Sequence, residues 1–547
     1  MAFSVKRIYC VLLIFSVIGI ALFMRLLYLQ GIIGNELAIL GLFSRVQEVE
    51  LDHDRGEIFD RNLKPLTNRN KQYDITLFPS QLKNKDACIQ TLAKYNTGSS
   101  IFLNTRVEQM VKPIKLIDNI PKNIAIEIKN QNLDGVVIHE AKNRYSDIAS
   151  HLIGYCNLTD NRGMSGLEAM YDDQLKLGNQ KYLAAFLDAR SKLIPGLKYK
   201  QINLAKQAEK HDLVLTLDDS VQKVVEKVFD QHAQKGAVVV MDPHTGDILA
   251  MVSRPNFNAT QLDQYLTGDN GALLNRAISA YQPGSVFKLV VAIAALEKKL
   301  VNIDEKFIDR GYIDVDGTEF RRWDYKTGTR TITFQDAMAY SSNPIFIEVG
   351  LRIGMKGLIE YAKKLGFGNT TRLQFYNEMS GNLPSKDNIY RGELANLSIG
   401  QGECEVTPMQ MAALVSTVVN HGIQVNPVLV DYSINEDGEK FKIRKQSQAK
   451  RIFSLHTAEE IKKMMIAVNQ YGTGQAAWIE NGGSAGKTGS AETGRKSADG
   501  KGISHAWYVG FSPIDEPQYV VVVFVEDGLS GGDVAAPIFK EIIENIR

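Results

Sequence analysis

Ile8 to Met24 (IYCVLLIFSVIGIALFM) is an unbroken uncharged stretch, and the apolar run resumes past Arg25 as LLYL. Together they give roughly the 20 residues that a membrane-spanning helix needs. Lys6 and Arg7 flank the run on its N-terminal side. The pattern therefore predicts a cytoplasmic tail over 1–7, a transmembrane anchor over 8–30 with its N-terminus inside, and a remainder that lies outside the cytoplasm. No short apolar region is followed by a small-residue cleavage site, which favours an uncleaved anchor over a signal peptide. Arg25 stands near the outer end, where a long cationic side chain can snorkel to the interface.

Past the anchor the periodicity changes. Residues 45–80 alternate apolar and polar positions around turn-rich breaks, as in RVQEVELDHDRGEIFDRNLKPL, and read as short strands and loops. A mixed, polar segment continues to about residue 210 and holds no catalytic set, so 31–210 is expected to be a pedestal, a spacer or docking module. From 211 to 547 the pattern sharpens. LVLTLDDSVQKVVEKVFDQHA predicts a strand, an N-cap at Asp218 or Asp219, and a helix with an apolar stripe through Val221, Val224, Val225 and Val228. GAVVVMDPHTGDILAMVS reads as a hairpin, HAWYVGFSP and QYVVVVFVEDG as two more strands, and AAPIFKEIIENIR as an amphipathic closing helix. Helical material lies between the two blocks of strands. The expected fold class is α+β: an antiparallel sheet assembled from both ends of the domain, flanked by helices, with an inserted helical subdomain.

Composition narrows the function. In 547 residues, 63 Lys plus Arg balance 62 Asp plus Glu, which leaves no basic excess to suggest nucleic acid. Of the four cysteines, Cys10 falls in the anchor, and Cys88, Cys156 and Cys404 are too sparse for a disulfide framework. The nine histidines show no ligand spacing with cysteines or carboxylates, so neither a metal nor a cofactor is expected.

The chemistry concentrates in three short motifs. In YQPGSVFKLVVAIAALEKKL, Pro283-Gly284 precede Ser285, which is expected in the first turn of an apolar helix, and Lys288 stands three residues on, on the same face. A serine hydroxyl is a poor nucleophile until a positioned base takes its proton. A lysine can do so only if burial or a nearby cation lowers its pKa, and Val286, Phe287, Leu289 and Val290 can supply the burial. Ser80–Lys83, Ser220–Lys223 and Ser447–Lys450 have the same spacing but read as solvated surface pairs. In AMAYSSNPIFIEVG, the Ser341 hydroxyl can relay a proton and the Asn343 amide can grip a substrate peptide group. Ser380–Asn382 and Ser433–Asn435 repeat that spacing in polar turns.

The third motif occurs twice. KTGT at Lys326–Thr329 lies in a polar loop with no following sheet strand, and reads as solvated. KTGS at Lys487–Ser490 precedes the two C-terminal strands and can therefore lie on the sheet's edge strand. There Gly486 and Gly489 would let a substrate backbone approach, Lys487 would offer a cation, Thr488 and Ser490 would offer hydroxyls to a carboxylate, and the Ser285 and Ser490 N–H groups would form an oxyanion hole.

SVFK, SSN and KTGS in this order resemble a class B penicillin-binding protein, a monofunctional peptidoglycan D,D-transpeptidase. The surrounding RGEIFDRN, SGLEAMYD, IGQGECEVTPMQM, HAWYVGF and AAPIFKEI carry the resemblance along nearly the whole chain. It implies the penicillin-recognising transpeptidase fold, a dimerisation-like N-terminal domain, and a serine acyl-enzyme. Ser285 would attack the D-Ala-D-Ala bond of a stem peptide, with Lys288 as base. Ser341 would pass the proton to the departing D-alanine, Asn343 would hold the peptide, and Lys487, Thr488, Gly489 and Ser490 would bind the carboxylate and oxyanion. It further implies acylation by β-lactam antibiotics and a SEDS-type membrane glycosyltransferase as polymerising partner. A β-lactamase or a β-lactam-sensing receptor on the same fold is the alternative. The first needs a deacylating carboxylate, for which only Glu492 stands near the third motif, and the second needs a transducing domain.

Overall fold

The computed structural model describes residues 5–34, 37, 46–51, 55–95, 112–145, 148–157, 161–176, 181–188, 190–203, 210–266, 268, 271–371, 373, 375–384, 390–444, 449–496, 500 and 502–547. Ser447 of the third surface Ser–Lys pair lies outside them. The N-terminal apolar run forms helix α1 (Val5–Leu27), which continues as a wider turn over Tyr28–Ile32. The guanidinium of Arg25 rests 5.4 Å from the centre of the Tyr28 ring, one turn further on. Over Arg7–Ile32 the segment is long and apolar enough to cross a membrane and is buried against nothing in the chain. The chain is thus a single-pass membrane protein among its described residues.

Two units follow from the packing. The first combines Met1–Arg55, Asn70–Asn143 and Leu177–Glu209. It holds a sheet ordered Val46–Glu50, Lys181–Phe186, Tyr199–Asn203, and another with Asn70–Leu77 between Ile114–Ile120 and Val136–Asn143. The second combines Gly56–Arg69, Arg144–Lys176 and Lys210–Arg547. The change of character near Leu213 thus marks only the last crossing between the units. The earlier excursions are short: Ile58 and Phe59 pair in parallel with Leu213 and Val214, and two residues of strand leave no periodic trace in a sequence. Gly56 lies so close to the His211 carbonyl that a Cβ there would sit 2.0 Å from its oxygen.

The second unit is built as the alternation of residues dictates. In chain order its principal elements are α2 (Asp219–His232), β1 (Gly236–Met241), β2 (Ile248–Arg254), α3 (Lys288–Glu297), α4 (Phe334–Ala339), α5 (Asn343–Ile353), α6 (Pro408–Val419), α7 (Leu455–Gln470), β3 (Ala485–Lys496), β4 (Gly502–Ser512), β5 (Tyr519–Val525) and α8 (Ala536–Ile546). The five strands form one antiparallel sheet in the order β2-β1-β5-β4-β3. β3 is therefore an edge strand. Asp218 caps α2, its side chain accepting from the Ser220 N–H.

Strand residues point alternately to opposite faces. Val238, Val240, Val521 and Val523 pack with Phe229 of α2 and Ile538, Phe539 and Ile542 of α8. Ala237, Val239, Val520 and Val522 pack instead with the inserted helices, among them Val290 of α3, Leu414 of α6 and Met464 of α7. Both faces are covered, which is why β1 and β5 read as unbroken valine runs without polar alternation. Each fully buried valine contributes about 1.5–3 kcal/mol.

Candidate active site

Ser285 enters the structure differently from the helical first turn that the sequence suggests. Gly284–Phe287 form a 3-10 turn, and the α-helix proper begins at Lys288. Gly284 holds φ +57, and a Cβ there would meet the Ser490 carbonyl oxygen at 2.8 Å. Only glycine combines that backbone with so close an approach to β3. The turn is braced from two sides. The Gly284 N–H donates to Gly400 O at 2.9 Å, Gln282 Nε2 donates to Gly402 O at 2.9 Å, and Trp507 Nε1 on β4 donates to Gln282 O at 3.0 Å. The IGQGECEVTP and HAWYVGF stretches thus have a shared task, to press the Ser285 turn against the strand that carries Lys487.

Lys288 is wholly buried, yet its amine is satisfied: Nζ donates to Ser341 O at 2.8 Å, to Asn343 Oδ1 at 2.7 Å and to Ser341 Oγ at 3.2 Å. Lys487, also wholly buried, donates to the same Ser341 Oγ at 2.9 Å and to Thr488 O at 2.9 Å. Two amines from distant parts of the chain therefore converge on one hydroxyl. Burial, and next the charge of Lys487, push the Lys288 pKa well below the usual lysine range, with the Asp309 carboxylate opposing them; burial pulls Lys487 down to about 7. A neutral Lys288 satisfies the two carbonyl acceptors with its two N–H groups and keeps its lone pair for a hydroxyl proton. A protonated one fills all three contacts. The site accommodates both states without rearrangement, which is what a base that must accept and return a proton requires.

Ser341 stands between α4 and α5 with φ +55, a left-handed conformation that costs a non-glycine residue roughly 1–3 kcal/mol and persists only where its surroundings over-determine it. Ser342 caps α5, accepting from the Ile345 N–H, and donates its hydroxyl to Asp309 Oδ2 at 2.7 Å. Asn343 spends its carbonyl on Lys288 and one N–H on Arg321 O at 3.1 Å, so a single N–H remains to offer a substrate. On β3, Thr488 and Gly489 are buried and Ser490 is exposed, its Oγ accepting from the Gly531 N–H at 3.2 Å. A Cβ on Gly489 would crowd Pro283 O at 2.9 Å.

Two of the competing Ser–Lys copies are surface pairs, and of the Ser-x-Asn copies Ser433 lies buried on the strand Val430–Ile434, not in a turn. Ser80 donates to Gln47 and Lys83 pairs with Asp134; Ser220 donates to Asp218 and Lys223 pairs with Asp219. Lys326 is exposed on a short 3-10 turn. A strand does follow it, Arg330–Thr333, because TIT is β-branched and alternating, but it pairs only with Lys306–Asp309 in a two-stranded ribbon outside the main sheet. Glu492 is exposed on β3. His505 accepts from the Asp527 N–H and packs against Tyr281 and Phe524, a structural setting.

Sequence reasoning missed Thr473. Its N–H donates to Ala339 O at 2.9 Å and its hydroxyl bonds that of Thr488 at 2.7 Å, tying the segment before Ser341 to the third motif. Replacing it by valine keeps the shape and removes the link. Noncovalent affinity for a carboxylate-bearing β-lactam is expected to fall about fivefold, the effect of losing about 1 kcal/mol of hydrogen bonding, as read by stopped-flow titration.

Family models match at both ends of this architecture: the penicillin binding protein transpeptidase domain over residues 236–544 and the penicillin-binding protein dimerisation domain over 51–201. Stage V sporulation protein D of Bacillus subtilis is 31% identical, covering 99% of this chain and 85% of its own. Peptidoglycan D,D-transpeptidase MrdA of Acinetobacter baumannii is 28% identical, covering 94% and 84%. A chain solved within a peptidoglycan synthase complex that coordinates polymerization and crosslinking superposes with a TM-score of 0.73 at 25% identity, covering 99% of this chain and 98% of that one. With its penicillin-recognising catalytic domain, its dimerisation domain and its membrane helix, this chain belongs to the class B penicillin-binding proteins and is a peptidoglycan D,D-transpeptidase.

Proposed function

We propose that Ser285 carries the acyl group and that Lys288, Ser341 and Lys487 move the protons. The observation that carries this reading is the convergence of both amines on Ser341 Oγ beside the Ser285 turn. Ser285 gives its proton to neutral Lys288 as Oγ bonds to the carbonyl carbon of the penultimate D-alanine of a stem peptide. The C–N bond then breaks, and the departing amine of the terminal D-alanine takes the proton through Ser341. An amine of a neighbouring stem attacks the ester, loses its proton by the reverse route, and leaves a cross-link and a free Ser285. Lys487, Thr488 and Ser490 hold the terminal carboxylate, Asn343 donates to the peptide, and the Ser285 and Ser490 N–H groups stabilise the oxyanion, each such donor contributing about 2.7–4 kcal/mol in the transition state.

In the same reading, Lys6 and Arg7 keep the N-terminus inside, so the catalytic unit works outside the cytoplasmic membrane, where the stems are. Of residues 31–210, those outside Gly56–Arg69 and Arg144–Lys176 serve as its pedestal. The polymerising partner is a SEDS-type membrane glycosyltransferase, a reading supported by the synthase complex in which the similar solved chain occurs.

The test is the site of the adduct. After incubation with penicillin, intact mass is expected to rise by one acyl group per chain, and peptide mapping to find it on the fragment bearing Ser285. An adduct on any other serine would overturn the assignment.

A further inference from the structure

The first KTG copy, exposed and outside the reaction, is tied to the site by its neighbours. Arg322 is wholly buried and ion-pairs with the equally buried Asp309 at 2.9 Å. The same guanidinium reaches Asp324 through Nε and, through Nη2, Thr327 Oγ1 at 2.7 Å and Gly328 O at 3.1 Å. Asp309 in turn accepts the Ser342 hydroxyl. Two further threads join the loop to the turn that bears Ser341. Trp323 Nε1 donates to Tyr340 O at 3.2 Å, and Asn343 Nδ2 donates to Arg321 O. The loop therefore grips residues 340, 342 and 343, on both sides of Ser341, whose backbone is left-handed.

We propose that Asp309 and Arg322 are positioning residues for acyl transfer: with Thr327 and Gly328 of the first KTG copy they form a brace that holds Ser341 in its strained conformation between Lys288 and Lys487. Neither touches the reacting atoms. Apart from the through-space pull of the Asp309 carboxylate on Lys288, their effect passes through Ser342 and the backbone of 340–343, and a displacement of Ser341 Oγ by a fraction of an ångström loosens both amines at once. The repeated motif is then a loop whose threonine and glycine serve an arginine rather than a substrate, which explains why its lysine points to solvent.

This inference rests on the role of Ser341 in the proposed function, and the experiment separates the two. Acylation by a fluorescent penicillin is followed over a range of concentrations, giving the noncovalent constant and the chemical rate separately, alongside the melting temperature of each full-length variant in detergent. Arg322→Met is expected to lower the chemical rate by about 10- to 100-fold, the scale of a small misplacement of a catalytic group, with the noncovalent constant within about twofold. Thr327→Val, which removes one hydrogen bond on the exposed side of the brace, is expected to lower it by a smaller factor with an unchanged melting temperature, and serves if Arg322→Met fails to fold. Lys326→Ala is expected to match wild type in every readout. A folded Thr327→Val with wild-type chemical rate, or a loss confined to the noncovalent constant, overturns the brace. Wild type that is never acylated overturns the proposed function instead.

Discussion

Replacing Ser285 by alanine is expected to abolish covalent labelling by penicillin altogether, while the folded enzyme still binds the drug reversibly. The reason lies in what the substitution leaves untouched. The 3-10 turn is fixed by Gly284, by the hydrogen bonds from Gly284 and Gln282 to the Gly400–Gly402 loop, and by Trp507, none of which uses the serine hydroxyl. Lys288 keeps all three of its acceptors, since they come from Ser341 and Asn343. Alanine therefore removes the nucleophile and little else, and the melting temperature should stay within the scatter of surface substitutions, roughly ±0.5 kcal/mol in stability. Ser220→Ala, at a serine with the same spacing to a lysine, should label as wild type does, because its hydroxyl serves the Asp218 cap. Gel fluorescence and intact mass read both outcomes. Persistent labelling of the Ser285→Ala chain would assign the acyl group to another residue.

The two halves of the catalytic set were legible in the sequence to different degrees. Lys487 could be preferred over Lys326 because its motif is followed by two apolar runs long enough to build a sheet, and such runs bounded by turn signals mark buried strands. Lys288 could be placed because i,i+3 spacing needs only local geometry. Asp309, Arg322 and Thr473 carry no such mark. Each acts across a gap in sequence, Asp309 on Ser342 and Thr473 on Thr488, and each lies in a polar stretch where a buried charge or hydroxyl looks like a solvated one. The same limit hid the return of Gly56–Arg69 and Arg144–Lys176 to the catalytic unit: Arg144 and Glu168 form a buried ion pair there, which reads from sequence as two surface charges.

The second large effect concerns the lysines and is read as pH dependence. The rate of acylation per unit penicillin is expected to follow a bell. On the acid side it rises as Lys288 loses its proton. That limb lies far below the pH at which a free lysine titrates, because burial disfavours the ammonium and the Lys487 cation disfavours it further. On the alkaline side it falls as Lys487, pulled down to about 7 by its own burial, ceases to be the cation that a carboxylate requires. The amines share Ser341 Oγ, so both limbs belong to the coupled pair. At saturating penicillin the falling limb should move to higher pH, since a bound carboxylate beside Lys487 favours its charged form. Lys288→Met should then lower the chemical rate by about 10²- to 10⁴-fold, the contribution of a positioned general base, and erase the acid limb. Lys487→Met should act in the opposite sense on that limb: with the neighbouring cation gone, the Lys288 pKa rises and the limb shifts to higher pH. A Lys288→Met enzyme that keeps the wild-type acid limb would mean that the proton of Ser285 goes to some other group. In that case the convergence of two buried amines on Ser341 would serve binding and not proton transfer.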